Sequence, residues 1–399
     1  MASLPFTHTD SRGRVPDPAM LSAGTSVLEV LTVNDATALH HLIAENPDCR
    51  SWNDRLEEAV SRSTGFPHVI ATASGNIAIS LILRSIGLRP DDEVIVPANV
   101  RLGIVQVIRH FDAHPIPVDV DSESLLLDCD QLSDALSDRT CAIIASDIGG
   151  VTINPSVPLS LAARHGLLLI EDGHVSLKVV LPREPLEPTH FRTFHTGTLT
   201  GTAIYSGGFV CTSNPGFDRR IRGLMPGGDH DPAIADPAQS HYQTIEFAER
   251  MTELSAAWQM VASLSAAEAR RRRCEVAMSY AAAFAGVREI ELPFEPADAM
   301  PAWSDYLIRL NLHHLGATHN EFVLSLRRRG IRAALPEPPI HLHPWYQDMY
   351  GFTADSFPVA RNEYLRSVAL PIHSRMSDDD IQNVCDGVIA VVTDIRAGR

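Results

Sequence analysis

Residues His68 to Val100 read HVIATASGNIAISLILRSIGLRPDDEVIVPANV. Two short runs rich in β-branched residues, HVIATAS and DEVIVPA, flank NIAISLILRSIGL, whose apolar residues recur at helical spacing. The same rhythm continues through IVQVIRHFDA, HPIPVDVD, CDQLSDALS, CAIIASDIGG, LSLAARHG and LLLIEDG. Strand-like segments alternating with helices predict βαβ units, hence an α/β fold with a mostly parallel, buried central sheet flanked by helices. Such sheets bind ligands along the edge where several strands end. Further on, the sequence predicts long helices and then a smaller C-terminal α/β segment, with SDYLIRLNL as a strand and THNEFVLSLRRRG as a helix. The expected division is a large domain over 1–265 and a small one over 266–399.

Composition narrows the function classes. A net charge of −16 on 399 residues disfavours a nucleic-acid partner, because phosphate binding needs a concentrated positive field. The basic runs Arg270 to Arg273 and Arg327 to Arg329 sit in helical patterns and read as solvated faces. No apolar run reaches the ~18–20 residues needed to cross a membrane, and the first residues lack the basic-then-apolar pattern of an export signal. A soluble, cytoplasmic protein without a membrane partner is expected. The six cysteines are scattered without a CxxC pair, which points to reduced thiols and no zinc site. The cations are unusual: Lys178 is the one lysine, and arginine supplies the rest.

The order of motifs resembles the DegT/DnrJ/EryC1/StrS sugar aminotransferases, pyridoxal-phosphate (PLP) enzymes of fold type I that aminate keto-sugars and cyclitols. The resemblance rests on ATASGNIAIS, LRPDDEVIVPANV, HPIPVDVDSESLLLD, LLLIEDG, ERMTELSAAW, IHLHPWYQDMYGF and ALPIHSRMSDDDIQNV, seven segments in family order across nearly the whole chain. It implies a bacterial biosynthetic enzyme, of the kind frequent in antibiotic sugar pathways, acting on a small molecule. It also implies a homodimer with the active site at the subunit interface.

Ser74, Gly75 and Asn76 lie where a strand passes into a helix, so exposed N–H groups there can bind a phosphate or simply be capped. Asp172 matches the family carboxylate that holds the PLP ring nitrogen protonated. A buried carboxylate is costly without a cationic or hydrogen-bonding partner, so its presence calls for one. In FRTFHTGTLTGTAIYSGGFVCTS, Phe191 to Ser213, Thr193 matches the phosphate-binding serine and Thr198 stands at the Schiff-base lysine's place. No lysine follows Lys178, which itself reads as a surface residue, so no internal aldimine is expected. Other cofactor positions have changed as well. Val100 and Arg101 replace a pair whose aromatic stacks on the ring, Val175 a ring-facing polar residue and Ala248 an asparagine that reaches the partner's phosphate.

A histidine is the natural proton carrier near neutral pH, which makes His195 and His174 the candidate bases, with Asp172 beside them. Arg101, His341 and Tyr346 are candidate substrate contacts. His341 and His343 alternate as strand neighbours do, but without a third ligand they make no metal site. Three readings follow. The first is lysine-independent acid–base chemistry such as dehydration, cyclisation or condensation. The second is a dehydratase-like enzyme holding PLP or pyridoxamine phosphate (PMP) without a covalent bond. The third is a non-catalytic partner of another biosynthetic enzyme.

Overall fold

The structure, a computed structural model, describes residues 51–174, 189–196, 207–225, 249–296 and 301–398, together with Leu39. Thr198, Lys178, Val175, Ala248 and the side chain of His174 lie outside the described residues.

The large unit comprises α1 (Trp52–Thr64), β1 (His68–Thr72), α2 (Gly75–Ser85), β2 (Glu93–Pro97), α3 (Leu102–Arg109), β3 (His114–Val118), β4 (Thr140–Ser146), α4 (Ser156–His165), β5 (Leu168–His174), β6 (His190–Thr196), β7 (Gly207–Thr212) and α5 (Pro215–Gly223). The long helix α6 (Glu253–Phe284) leads into β8 (Ile290–Glu291), β9 (Tyr306–Leu310), α7 (Leu312–Leu315), α8 (His319–Arg328), α9 (Pro344–Tyr350), α10 (Pro358–Tyr364), β10 (Ser367–Leu370) and α11 (Asp378–Ala397).

Seven strands form the central sheet in the order β1-β7-β6-β5-β4-β2-β3, and β8 to β10 form a separate sheet. The pairs β2·β3, β2·β4, β4·β5 and β5·β6 are parallel, while β7 is antiparallel to both neighbours. One reversed strand therefore sits in an otherwise co-directional sheet.

Alternation along each strand feeds two cores. Ile70, Val94, Val96, Ile144, Ile170 and Val210 pack against α2, α3 and α5 through Ile79, Ile82, Ile104, Ile108 and Ile221. On the other face Ile95, Ile143 and Leu169 meet Leu161 and Ala162 of α4, and Val69, Ala71, Phe194 and Phe209 meet Leu56, Ala256 and Ala257. The result is a sheet between two helical layers. A third core joins the far end of α6, through Val276, Tyr280 and Phe284, to β9, β10, α8 and α11.

Position 265, the expected division, falls inside α6, which runs from one core to the other. Two local readings change. CDQLSDALS forms only a 3-10 turn, Cys129–Gln131, because the Asp128 carboxylate accepts from the Asp130 N–H and so competes with helical bonding. His341 lies in a second 3-10 turn, Ile340–Leu342, while His343 precedes a helix that Pro344 opens, so the two are not strand neighbours. Proline fixes φ for a first helical turn and pushes the residue before it out of the helical region.

Candidate active site

Asp172 lies near the end of β5, two residues beyond core-facing Ile170, on the sheet face covered by α2 and α3. Parallel pairing sets Thr193 opposite Asp172 and His195 opposite His174, so the odd-numbered residues of β6 share that face with Asp172. The backbone of His174 is thus adjacent to His195.

Beyond β2 the chain turns, with the Val100 N–H donating to Pro97 O at 2.9 Å, and Arg101 becomes the residue that precedes α3. From there its guanidinium reaches back across the sheet edge, and Nη2 donates to Asp172 Oδ2 at 2.8 Å. Thr193 Oγ1 donates to Asp172 Oδ1 at 2.9 Å, and His195 Nε2 lies 2.8 Å from the same oxygen. Arg101 Nη2 also touches His195 Nε2. The Asp172 side chain is 2% exposed, His195 10% and Arg101 17%, so a buried anion lies beneath two groups that retain solvent access.

Burial alone would raise the Asp172 pKa, but the neighbouring Arg101 and His195 outweigh it and hold the carboxyl well below the ordinary carboxylate range. His195 Nε2 faces both the Asp172 carboxylate and the Arg101 guanidinium, and Nδ1 lies over Gly75. A histidine oriented by a buried carboxylate is an acid–base unit.

The N-terminus of α2 closes the site. Ser74 caps it, its Oγ accepting from the Ile77 N–H at 3.2 Å, as a plain helix cap would. A Cβ at Gly75 would collide with the His195 ring, so that ring occupies the space over the first residue of α2. A Cβ at Gly208 would lie 2.6 Å from Ser74 C, so β7 also requires a glycine where it passes α2. Asn76 packs toward the first turn of α3, where a Cβ at Gly103 would meet its Nδ2 at 2.6 Å, and Asn76 Oδ1 is buried without a partner. Glu337 Oε1 accepts from the Leu102 N–H at 3.1 Å and steadies the start of α3. Gly208 and Glu337 were not singled out by sequence. The Gly207-Gly208 pair opening a strand was the available signal for the first, and a residue 235 positions away from its partner gave none for the second.

His341 and Tyr346 belong to a neighbouring segment. The His341 ring is fully buried edge-on to Phe357 at 5.3 Å, and burial lowers its pKa. Tyr346 is buried in the core shared with α2 and α3 and stacks with Tyr350. Among the described residues, no hydrogen bond, ion pair or ring contact joins either to Arg101, Asp172 or His195. Their segment does border the site, since the Ile340 N–H donates to Ala98 O at 2.8 Å just before Val100 and Arg101.

The residues present do not fit a PLP or PMP ring as the site stands. A ring nitrogen would need an Asp172 oxygen, yet three protein groups already engage the two oxygens, and Arg101 supplies the cation.

The profile of the DegT/DnrJ/EryC1/StrS aminotransferase family matches residues 50–389. The spore coat polysaccharide biosynthesis protein SpsC of Bacillus subtilis is 28% identical over 348 residues, covering 85% of this chain and 89% of SpsC. Among solved structures, the PMP form of the putative sugar aminotransferase Spr1654 from Streptococcus pneumoniae superposes with a TM-score of 0.80 at 20% identity. That match covers 93% of this chain and 98% of Spr1654. Helicobacter pylori PseC, an aminotransferase of pseudoaminic acid biosynthesis, gives 0.82 at 17% identity over 93% of this chain and 99% of its own. At these identities the structural likeness establishes the fold.

Proposed function

Because the chain belongs to the DegT/DnrJ/EryC1/StrS aminotransferase family, we propose that it is a biosynthetic enzyme acting on a sugar-like small molecule by lysine-independent acid–base chemistry. Dehydration, cyclisation and condensation are the reactions within its reach. The observation that carries this reading is the 2.8 Å contact between His195 Nε2 and Asp172 Oδ1 in a site that already contains its own cation. His195 takes a proton from carbon next to a carbonyl, the C–H electron pair passes into an enolate, and a remaining Arg101 N–H steadies the oxyanion. Expulsion of a β-hydroxyl, with the proton returned to it, releases water and completes a dehydration. Transamination is set aside because the family's lysine both tethers the cofactor and shuttles the proton. Thr198, by resemblance at the lysine's place, offers neither function.

Proton exchange in D2O tests this without knowledge of the final product. Keto-sugars incubated with the purified protein, without added PLP or PMP, should lose the signal of the carbon-bound proton beside the carbonyl, and His195→Ala should abolish the loss. Exchange that is indifferent to His195, or that starts only when PMP is added, overturns the proposal. Dependence on PMP is the second reading, and the PMP form of the related Spr1654 favours it. The arrangement around Asp172 weighs against it. Among the described residues no helix is long and apolar enough to cross a membrane. A cytoplasmic homodimer is part of the proposal, and a solution mass near the 43.6 kDa of one chain would refute the dimer.

A further inference from the structure

We infer that Arg101 is a built-in counter-ion that takes the place of a cofactor ring at Asp172, so that the pocket turns PLP and PMP away and reserves the carboxylate for His195. This rests on the reading of Asp172 and His195 as the working pair.

Three features support it. The first is how fully Asp172 is engaged: Oδ2 receives Arg101 at 2.8 Å, and Oδ1 has Thr193 and His195 at 2.9 and 2.8 Å. A ring N–H approaching that buried carboxylate would have to share Oδ2 with the Arg101 guanidinium, which sets one cation against another. Arginine stays protonated at any accessible pH, whereas a pyridine nitrogen must first acquire a proton, so the resident cation holds the advantage.

The second is the origin of the Arg101 side chain. Val100 before it is buried in the core, the Ile104 N–H donates to Arg101 O at 3.0 Å, and Glu337 caps the next N–H. The guanidinium therefore projects from a fixed point at the head of α3. Among the described residues only Nη2 is used on Asp172, which leaves other guanidinium N–H groups to meet substrate. The third is the imidazole itself, which fills the space over Gly75 at the start of α2. A cofactor would have to move both side chains, and moving Arg101 breaks its 2.8 Å bond to Asp172.

The test is a binding titration of the full-length protein with PMP, which cannot form an imine with Lys178, followed through its near-ultraviolet band and by thermal shift. Wild type should show no saturable binding and no PMP-dependent rise in Tm. Arg101→Ala should bind PMP saturably, at least about tenfold tighter than wild type, and be stabilised by it. Arg101→Gln, which keeps a donor for Asp172, should gain binding in the same direction and serves if the alanine variant does not fold. Saturable binding to wild type overturns the inference, and so do folded variants that bind PMP no better than wild type. No substrate is needed, so the outcomes separate. A wild type that binds PMP while its cofactor-free proton exchange still depends on His195 sinks this inference and leaves the acid–base reading standing.

Discussion

Arg101 and Asp172 should behave as one energetic unit, and a double-mutant cycle measures it. Asp172→Asn removes the anion and leaves the guanidinium facing an amide; Arg101→Met removes the cation and leaves a carboxylate only 2% exposed. Breaking a buried pair by removing one partner costs about 3–5 kcal/mol. Arg101 is 17% exposed and can recover some hydration, and Asp172 keeps Thr193 and His195, so about 3 kcal/mol for each single change is the expected figure. The double variant buries no lone charge and should fall well short of the sum, giving a coupling of about 2–3 kcal/mol, within the range found for residues in contact. Urea unfolding midpoints at constant m supply the four numbers. Effects that add to within about 0.5 kcal/mol would show that the 2.8 Å contact carries no energy and remove the basis for treating Arg101 as a counter-ion. The pH profile gives an independent check. Asp172 has a depressed folded pKa, so its contribution is complete above the unfolded value near 3.8 and is lost as pH falls toward the folded one. The gap between wild type and Asp172→Asn should therefore be flat from about pH 5 to 8 and close only in more acidic solution. A gap that closes between pH 5 and 7 would mean that another group controls the site.

Two further outcomes are expected. Gly75→Ala places a methyl group on the His195 ring, and because a side chain can yield, stability should fall by about 1–3 kcal/mol while proton exchange drops by about 100-fold. Gly208→Ala meets backbone instead and should cost more stability than Gly75→Ala by the same unfolding assay; the reverse order would contradict the packing of β7 on α2. Burial, with nearby carboxylates adding to it, pushes the Cys129 and Cys141 thiols up to about 11, so both should react slowly with a thiol reagent at pH 7.5 and accelerate only in strong alkali. Rapid labelling of either by peptide mapping at neutral pH would contradict that burial.

The central sheet was legible because its strands announce themselves locally. EVIVP and TCAIIAS are runs of β-branched and small apolar residues, and alternation in them serves two cores at once, as Val94 and Ile95 do by facing opposite layers. The reversal of β7 was not legible, since alternation reads the same in either direction and strand sense depends on the connection. CDQLSDALS misled because the Asp128 carboxylate just before it accepts from the Asp130 N–H and the Gln131 side chain, and the Ser137 hydroxyl accepts from the Arg139 N–H, bonds that compete with a helix. His341 and His343 misled because period-two spacing was read without the prolines at 339 and 344 that break a strand. In the site, Asp172, Thr193 and His195 were named from position and lie together in the structure, and the need for a cationic or hydrogen-bonding partner beside Asp172 followed from burial alone. That Arg101 answers it was beyond a local reading, for the pair is separated by 71 positions and meets only because β2 and β5 end on one edge.

Under the proposed function the same contact would let the fold keep its frame while changing its chemistry. A carboxylate at the end of β5 destabilises the sheet unless a positive group lies against it, so a chain that gives up a cofactor at this position must either lose the carboxylate or provide a cation from within. Arginine meets the electrostatic requirement at any pH, but a guanidinium fixed to the chain forms no bond with the substrate and supplies no conjugated ring to accept an electron pair from it. Under the proposed function what remains for the site is proton movement, and the Asp172 oxygen not bonded to Arg101 is the one that lies against His195. One residue would, under that function, both stabilise the carboxylate and decide which reaction that carboxylate can serve. On this argument, the identity of residue 101 should separate relatives that bind a cofactor from those that do not whenever the β5 carboxylate is retained; an arginine there in a relative that binds PLP with that carboxylate on the ring nitrogen would break the link between the two roles.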